Sequence, residues 1–359
     1  MKKFYTLLLL AGLAAAGCNK DELGADRVIT YDFDPLFAQE LQKRGYVDDA
    51  AYITPGKVEG IETLDVSGND SDYGVLTSLR GIEYFTALTS LDCSSNQLEE
   101  LDVTKNTALT ELLCNNNLLT SLDVTNNTAL TELQCSNNKL VALNVSNNVA
   151  LTSLACSGNN LRELNVSYNG MLTDLKCGSN FTDDGGRLAR MLVPGSLEHL
   201  SCDWCDFATI DLSSCPNLKT LHCNSCGIKL LNLSRNAALT ELYCSQNDLS
   251  VLDISPCSKL LKLYCYANEL VSLDISKNKE LEALHCYENP GIKEQNGESV
   301  FAVLAWFDND NVPEGIVVPS PTEPSQEVKN YDFTTGEWIY PVGSESIVKI
   351  DYRNVAQTE

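Results

Sequence analysis

The chain has 359 residues, 43% of them hydrophobic, and a formal net charge of −24. The hydrophobic share is ordinary for a folded domain. The charge argues against nucleic acid and anionic lipid surfaces as partners.

The chain opens "MKKFYTLLLLAGLAAAGCNKDELG". Lys2 and Lys3 form a basic start, and Leu7 to Ala16 an apolar run too short to span a membrane permanently. Small residues follow, then Cys18. This resembles a bacterial lipoprotein signal, with Ala15 where leucine is common. The resemblance implies a signal peptide over 1–17, cleavage before Cys18, and lipid on its sulfur and on the new amino terminus. Several acyl chains anchor stably where one does not. Lys20, Asp21 and Glu22 come next and resemble the surface-export signal of Bacteroidetes lipoproteins. That implies an outer-membrane protein exposed on the cell surface, with the periplasmic face as the alternative.

Residues 18–30 are expected to be a tether and 31–57 a helical cap. "DPLFAQELQKRG" predicts a helix, with Asp34 as N-cap, Pro35 at its first position and Gly45 as its stop. Leu36, Phe37, Glu40 and Leu41 form the stripe that covers the first coil, as a terminal repeat requires. A second proline start, "TPGKVEGIETLDVSGN", leads into a strand at Leu64 to Val66.

Residues 58–290 are periodic. Cys93, Cys114, Cys135, Cys156, Cys177, Cys202, Cys223, Cys244, Cys265 and Cys286 recur every 21 residues, with one step of 25 between Cys177 and Cys202. A full unit, 130–150, reads "LTELQCSNNKLVALNVSNNVA". This is the period and spacing of a leucine-rich repeat, with cysteine at the second strand position. Leu and Cys in L-x-C point one way and the residue between them the other. One coil cannot bury that face alone, so coils stack around a shared core. Asn138 and Asn148 sit where the chain turns and can satisfy backbone groups there. The prediction is a leucine-rich repeat solenoid of parallel β coils, flat and weakly curved. A second strand at each "LDV" or "LNV" would make both long faces β, with little helix behind.

Coils about 4.8 Å apart would almost suit a disulfide, but stacked side chains run parallel, which is the wrong geometry. The ladder is therefore read as buried free thiols. Cys205 and Cys226 replace the first turn asparagine, and Cys215 and Cys257 the second. "CDWC" and "CNSC" are C-x-x-C pairs that could suggest zinc. Each combines a ladder cysteine with a turn position of the same repeat, so no metal and no cofactor is expected.

Two places break the rhythm. After Asn180 the unit gains four residues, and Leu188, Met191 and Leu192 predict a short helix in place of the back strand. After Asn289, Val300, Val303, Leu304 and Phe307 have helical spacing. Residues 291–319 read as a terminal irregular coil with a strand at Ile316 to Val318. Residues 320–359 read as a proline-rich linker and a small β-rich carboxyl-terminal cap.

The array resembles the cysteine-ladder branch of the internalin-like leucine-rich repeat proteins, built on "LTxLxCxxNxLxxLDVSxN" units. The resemblance covers about residues 58–290. It implies a right-handed solenoid, a surface or secreted location and a non-enzymatic binding role. It does not carry a ligand over. The outward column between Leu and Cys reads Asp92, Leu113, Gln134, Ala155, Lys176, Ser201, His222, Tyr243, Tyr264, His285. The last four are aromatic, and Tyr266 and Tyr287 follow in the next column. Trp204 lies past Cys202, and His199 completes the three histidines, all on this face. Rigid aromatics are common binding anchors, although Tyr and His also simply suit a strand surface. The expected partner is a protein on the concave face. A glycan ligand and a purely structural envelope role are the alternatives. No nucleophile–base–orienter set recurs, so no enzymatic activity is expected.

Overall fold

The computed structural model describes residues 27–68, 74–293, 299–305, 330–332, 337–339 and 347–351. The signal segment, Cys18, Lys20 to Glu22, Phe307, the Ile316–Val318 strand and the proline-rich linker all lie outside the described residues. No helix among the described residues is long and apolar enough to cross a membrane.

Eleven three-residue strands form one parallel sheet in strict chain order, from Thr63–Asp65 to Ala283–His285. The register follows the period: Leu112 pairs with Leu133, and Leu133 with Leu154. The first strand begins one residue before the predicted one. Backbone bonding runs past each strand end. Cys114 N donates to Gln134 O at 2.8 Å, and Asn116 N to Ser136 O at 2.9 Å. A leucine-rich repeat solenoid is thus the observed architecture.

All ten ladder cysteines are buried in the common core, and all fourteen described cysteines are free. Burial pushes the Cys135 and Cys244 thiols up to about 12, which leaves them neutral and unreactive. Two asparagine columns flank them. Asn138 Nδ2 donates to the carbonyls of Cys114 (3.0 Å) and Cys135 (3.1 Å), while its Oδ1 accepts from Leu119 N at 3.0 Å. Asn148 Nδ2 donates to Val124 O and Asn127 O at 2.9 and 2.8 Å. The four extra cysteines take over as donors. Cys226 Sγ reaches the carbonyls of Cys202 and Asn224 at 3.1 and 3.2 Å, the bonds an asparagine makes in its neighbours. Cys205 points at Cys177 O (4.0 Å), Cys215 at Pro194 O (3.4 Å) and Cys257 at Asn236 O (3.5 Å). The Cys205, Cys215 and Cys257 thiols are pushed up, whereas hydrogen bonds from the Cys202 and Cys205 side chains pull the Cys226 thiol down. Among the described residues no group of three or more His, Cys, Asp or Glu is arranged to hold a metal ion.

The back is only partly β. Short pairs join Glu163–Asn165 to Arg190–Leu192, Thr209–Ile210 to Leu230–Leu231, and Ser272–Asp274 to Ser299–Leu304. In other coils Leu101 and Val103 still point inward, but Asp102 Oδ1 accepts from Thr104 N (3.0 Å) and Thr104 Oγ1 (2.6 Å). That local turn competes with strand pairing.

Both predicted helical replacements are strands. Met191 pairs with Leu164, because Leu188-x-x-Met191 repeats the Leu161-x-x-Leu164 step of an ordinary coil. The unit's own L-x-x-L spacing imitates a helix. The additional residues form a turn, with Thr182 N bonded to Gly186 O at 2.8 Å. At Ser299–Leu304, Phe301 and Val303 are buried on alternating positions, and Val303 pairs with Leu273. Period 2 prevails over the apparent helical spacing. Beyond it, Ile347–Asp351 adds in parallel to Ser299–Leu304, and Asn330–Asp332 pairs with Glu337–Ile339.

At the other end Pro35–Lys43 is the predicted helix, capped by Asp34 Oδ1, which accepts from Leu36 N and Phe37 N at 2.9 and 3.1 Å. Phe37, Ala38 and Leu41 are buried, whereas Leu36 is exposed. Glu40 pairs with Arg44 at 2.7 Å. The covering face is therefore set by 37, 38 and 41. Phe33, Phe37, Tyr84 and Phe85 close the first coils with ring centroids 5.8 to 6.3 Å apart.

Candidate ligand-binding face

Because Leu and Cys point into the core, the residue between them points out, and the 21-residue register stacks it on its counterpart one coil away. At the carboxyl half this produces a continuous pile of rings. His222 and Tyr243 lie 4.1 Å apart between centroids, Tyr243 and Tyr264 4.7 Å, and Tyr264 and His285 4.4 Å. The interplanar angles are 22°, 15° and 9°. A second pile, Tyr266 on Tyr287, runs beside it at 4.6 Å and meets His285 edge-on at 6.3 Å. All six rings are half-buried.

The packing sets the electrostatics. Burial lowers the pKa of His222, with Glu241 pulling it partly back, and burial lowers His285 as well. Both imidazoles are neutral in the stack near pH 7. Burial and then Glu241 push the Tyr243 phenol up to about 12. Tyr243 Oη donates to Glu241 Oε2 at 3.2 Å, and Lys262 Nζ to Glu241 Oε1 at 2.9 Å. Glu241 and Lys262 thus brace the pile from the neighbouring column, a role that the column reading of the sequence missed. The signal for it was present: the two stand one coil apart, each just ahead of its strand leucine.

The other two nominated residues are not part of the pile. His199 is exposed, with Nδ1 3.2 Å from Thr220 Oγ1. Trp204 occupies the turn position two residues past the ladder cysteine, which has positive φ in every regular coil. Asn137 and Gly158 suit it at φ 54° and 66°. A bulky tryptophan at φ 63° is unusual and costs on the order of 1–2 kcal/mol, while its backbone N–H donates to Asn224 O at 2.9 Å as in the regular coils.

Beside Trp204 lies Asp203, which the aromatic search also passed over. It is half-buried, and its Oδ1 accepts from Asn224 N at 2.6 Å and Asn224 Nδ2 at 3.0 Å. Burial pushes its carboxyl up to about 6 despite those bonds.

On the back, the enlarged unit forms a separate hollow of about 290 Å³ lined by Val141, Asn160, Arg162, Thr182, Asp183 and Asp184. Arg162 and Asp184 already pair across it, and none of the aromatic residues reaches it.

No protein-family model matches the chain, and no curated protein matches it. Solved structures do. The functional domain of InlJ from Listeria monocytogenes, which includes a cysteine ladder, is 34% identical with a TM-score of 0.67. The alignment covers 78% of this chain and 61% of that one, so the chain spans about three fifths of that domain's length. Internalin InlF of Listeria monocytogenes is 20% identical with a TM-score of 0.57, over 79% of this chain and 87% of that one. A leucine-rich repeat protein of Leptospira interrogans is 24% identical with a TM-score of 0.53, over 67% and 70%. The last two show the fold alone. The solenoid is internalin-like, and its cysteine column has a counterpart in InlJ.

Proposed function

We propose that this chain is a lipid-anchored surface protein that binds a protein ligand through the aromatic half of its long sheet and performs no catalysis. The internalin-like architecture supports a binding role in general terms. The observation that carries the finer reading is the double ring pile, His222–Tyr243–Tyr264–His285 with Tyr266–Tyr287. These rings lie outside the core, so the fold does not need them.

The geometry bears on the kind of ligand. A sugar ring stacks on the flat face of an aromatic side chain. Here both flat faces of Tyr243 and Tyr264, and one face of each of the other four rings, are taken by neighbouring rings at 4.1 to 4.7 Å. Along the middle of the pile this leaves a strip of ring edges with phenol and imidazole polar atoms. Such a strip suits the mixed apolar and polar surface of a protein better than a glycan.

The test is a protein pull-down and a glycan array run in parallel with the intact ectodomain and with Tyr243→Ala/Tyr264→Ala. A protein retained by the parent and lost by the variant supports the reading. Glycan capture that survives in the variant, or no capture by either, sinks it.

The anchor rests on Cys18 and on Lys20, Asp21 and Glu22 after it. Cys18→Ala is expected to abolish lipid labelling and to release the chain from the membrane fraction. Changing Lys20, Asp21 and Glu22 to alanine should keep the lipid but reduce protease access on whole cells. Unchanged fractionation in the first case, or equal access in the second, would refute the respective assignment.

A further inference from the structure

We infer that the protein ligand supplies the next ring of the pile: an aromatic side chain of the partner seats over Ser201, between the outer face of His222 and Lys176. The inference rests on the protein-binding reading above and names the chemistry that the ligand must bring.

The pile stops at His222. Tyr243 stacks on one face of that imidazole at 4.1 Å, and among the described residues no ring or cation stacks on the other. The residue in register one coil earlier is Ser201, and one coil before that stands Lys176. The column therefore runs through four rings, then a small side chain, then a lysine. The rings are 4.1 to 4.7 Å apart, close to the coil step of about 4.8 Å. A ring held over Ser201 would meet His222 at the spacing the pile already uses. It would stand one similar step from Lys176 on its other side.

This end of the pile is open. Ser201 is half-buried, and its hydroxyl makes no hydrogen bond among the described residues. The second pile ends differently. Tyr266 also has a serine one coil earlier, Ser245, but that serine is fully buried, so no ligand group can be seated on it. Lys176 is exposed. The lysines further along this part of the sheet are committed: Lys219 pairs with Glu198, and Lys262 with Glu241. Lys176 forms no ion pair among the described residues, so its ammonium group is available to a ligand.

The two ends of the gap select the same kind of group. A flat ring stacks on the imidazole face of His222 as Tyr243 does on the opposite face. Its other face then attracts the Lys176 ammonium, which a flexible stem can bring over it. An aliphatic side chain would fill the same space and gain neither interaction. A carboxylate would gain the lysine, but it would also meet Asp174, on the strand of Lys176, and Asp203, two residues past Ser201. Like charges at that range repel. An aromatic side chain satisfies both ends without that penalty.

The experiment uses small probes and the full mature chain, whose three histidines give few imidazole C–H resonances to follow. The His222 signals are assigned by their loss in His222→Gln. Nα-acetyl-tyrosine amide is titrated against the parent, with the cyclohexylalanine amide as the saturated control and methyl glucoside as the sugar control. The tyrosine probe should move the His222 signals upfield, as a stacked ring shields them, and saturate in roughly the 10–50 mM range open to a single side chain. The His199 signals, from an imidazole outside the pile, should stay in place, and neither control should reproduce the shift. Ser201→Phe fills the gap with the chain's own ring, which four successive coils already accept at this position. It should cut the response at least about tenfold. Lys176→Gln leaves the gap open and removes the cation, and should weaken the probe about threefold. No upfield shift, an equal shift from either control, a full response in Ser201→Phe, or an unchanged one in Lys176→Gln would each overturn the inference. Tyr243→Ala/Tyr264→Ala separates this outcome from failure of the underlying reading. If the ring variant loses its protein ligand while Ser201→Phe keeps it, the face stands and the seat over Ser201 falls. If the ring variant keeps its ligand, the face itself falls.

Discussion

At Leu133 and at Leu263 the core is the same: a buried leucine in register with its neighbours, a buried cysteine two residues on, and a buried asparagine after that. One residue past each leucine the halves part. Gln134 turns back to Glu132, donating to it at 2.5 Å, whereas Tyr264 lies between two other rings. Asp92 likewise serves its own turn, accepting from Ser94 N at 2.9 Å. In this middle column Asp92 and Gln134 close on their own coils, whereas the rings from His222 to His285 stack from coil to coil. Period 2 separates the two sets of side chains, so one half can acquire a special surface without disturbing the shared core.

The largest effect is expected where the halves are alike. Asn138→Ala and Asn268→Ala each remove an acceptor for a buried backbone N–H and a donor to buried carbonyls. Each should lower stability by about 3 kcal/mol, since orphaned buried groups lose about 1–3 kcal/mol apiece. Denaturant melts should place the two within error of each other. A clear difference would mean that the core is not the same in both halves.

Next comes the effect that should divide them. Tyr243→Ala with Tyr264→Ala should weaken a protein ligand by about 2 kcal/mol or more, as central aromatic anchors do, with the fold intact. Gln134→Ala with Ala155→Ser on the other half should change nothing. Equal losses from both pairs in a titration would erase the comparison.

A third change returns to the core. Cys156→Ser in the amino half and Cys265→Ser in the carboxyl half each place a hydroxyl among apolar neighbours, and each should cost about 1–3 kcal/mol. Thiol titration of the denatured, non-reduced ectodomain should meanwhile find the fourteen described cysteines free. Pairing of half of them would contradict the neutral-thiol column.

Much of this was legible in the sequence because stacking converts period directly into position. Once the step of 21 is known, Tyr243 must lie over Tyr264, and Cys135 over Cys156. What misled was local spacing that two structures share. Leu188-x-x-Met191 fits a helix face, yet it is the ordinary inward step of a coil. Val300, Val303 and Leu304 fit a helix too, but a parallel partner at Ser272–Asp274 selects the strand. Asp203 was invisible for another reason. Its character comes from Gly178 on one side and Asn224 on the other, two coils that the sequence holds 25 and 21 residues away.

The smallest effect concerns acid. Unperturbed, His222 and His285 would titrate at about 6.5, but burial lowers both. The unfolded chain therefore takes up protons first. These two groups contribute stability in full above about 6.5, the unperturbed value, and lose it as pH falls below that. Asp203 acts in the opposite sense. Its carboxyl is raised to about 6, so the folded state binds its proton more readily, and acidification from about 6 toward the ordinary range relieves a burden. The two slopes partly cancel between about pH 6.5 and 4. Asp203→Asn removes the relief, so the melting temperature should fall more steeply with acid than in the parent. His222→Gln with His285→Gln removes the penalty, so it should fall less. The separations should be roughly a degree or two for a domain of this size, readable by melts at pH 7, 6 and 5. Coincident curves for all three proteins would mean that the rings and Asp203 are more open to water than their packing indicates. The aromatic half would then be as solvated as the amino half.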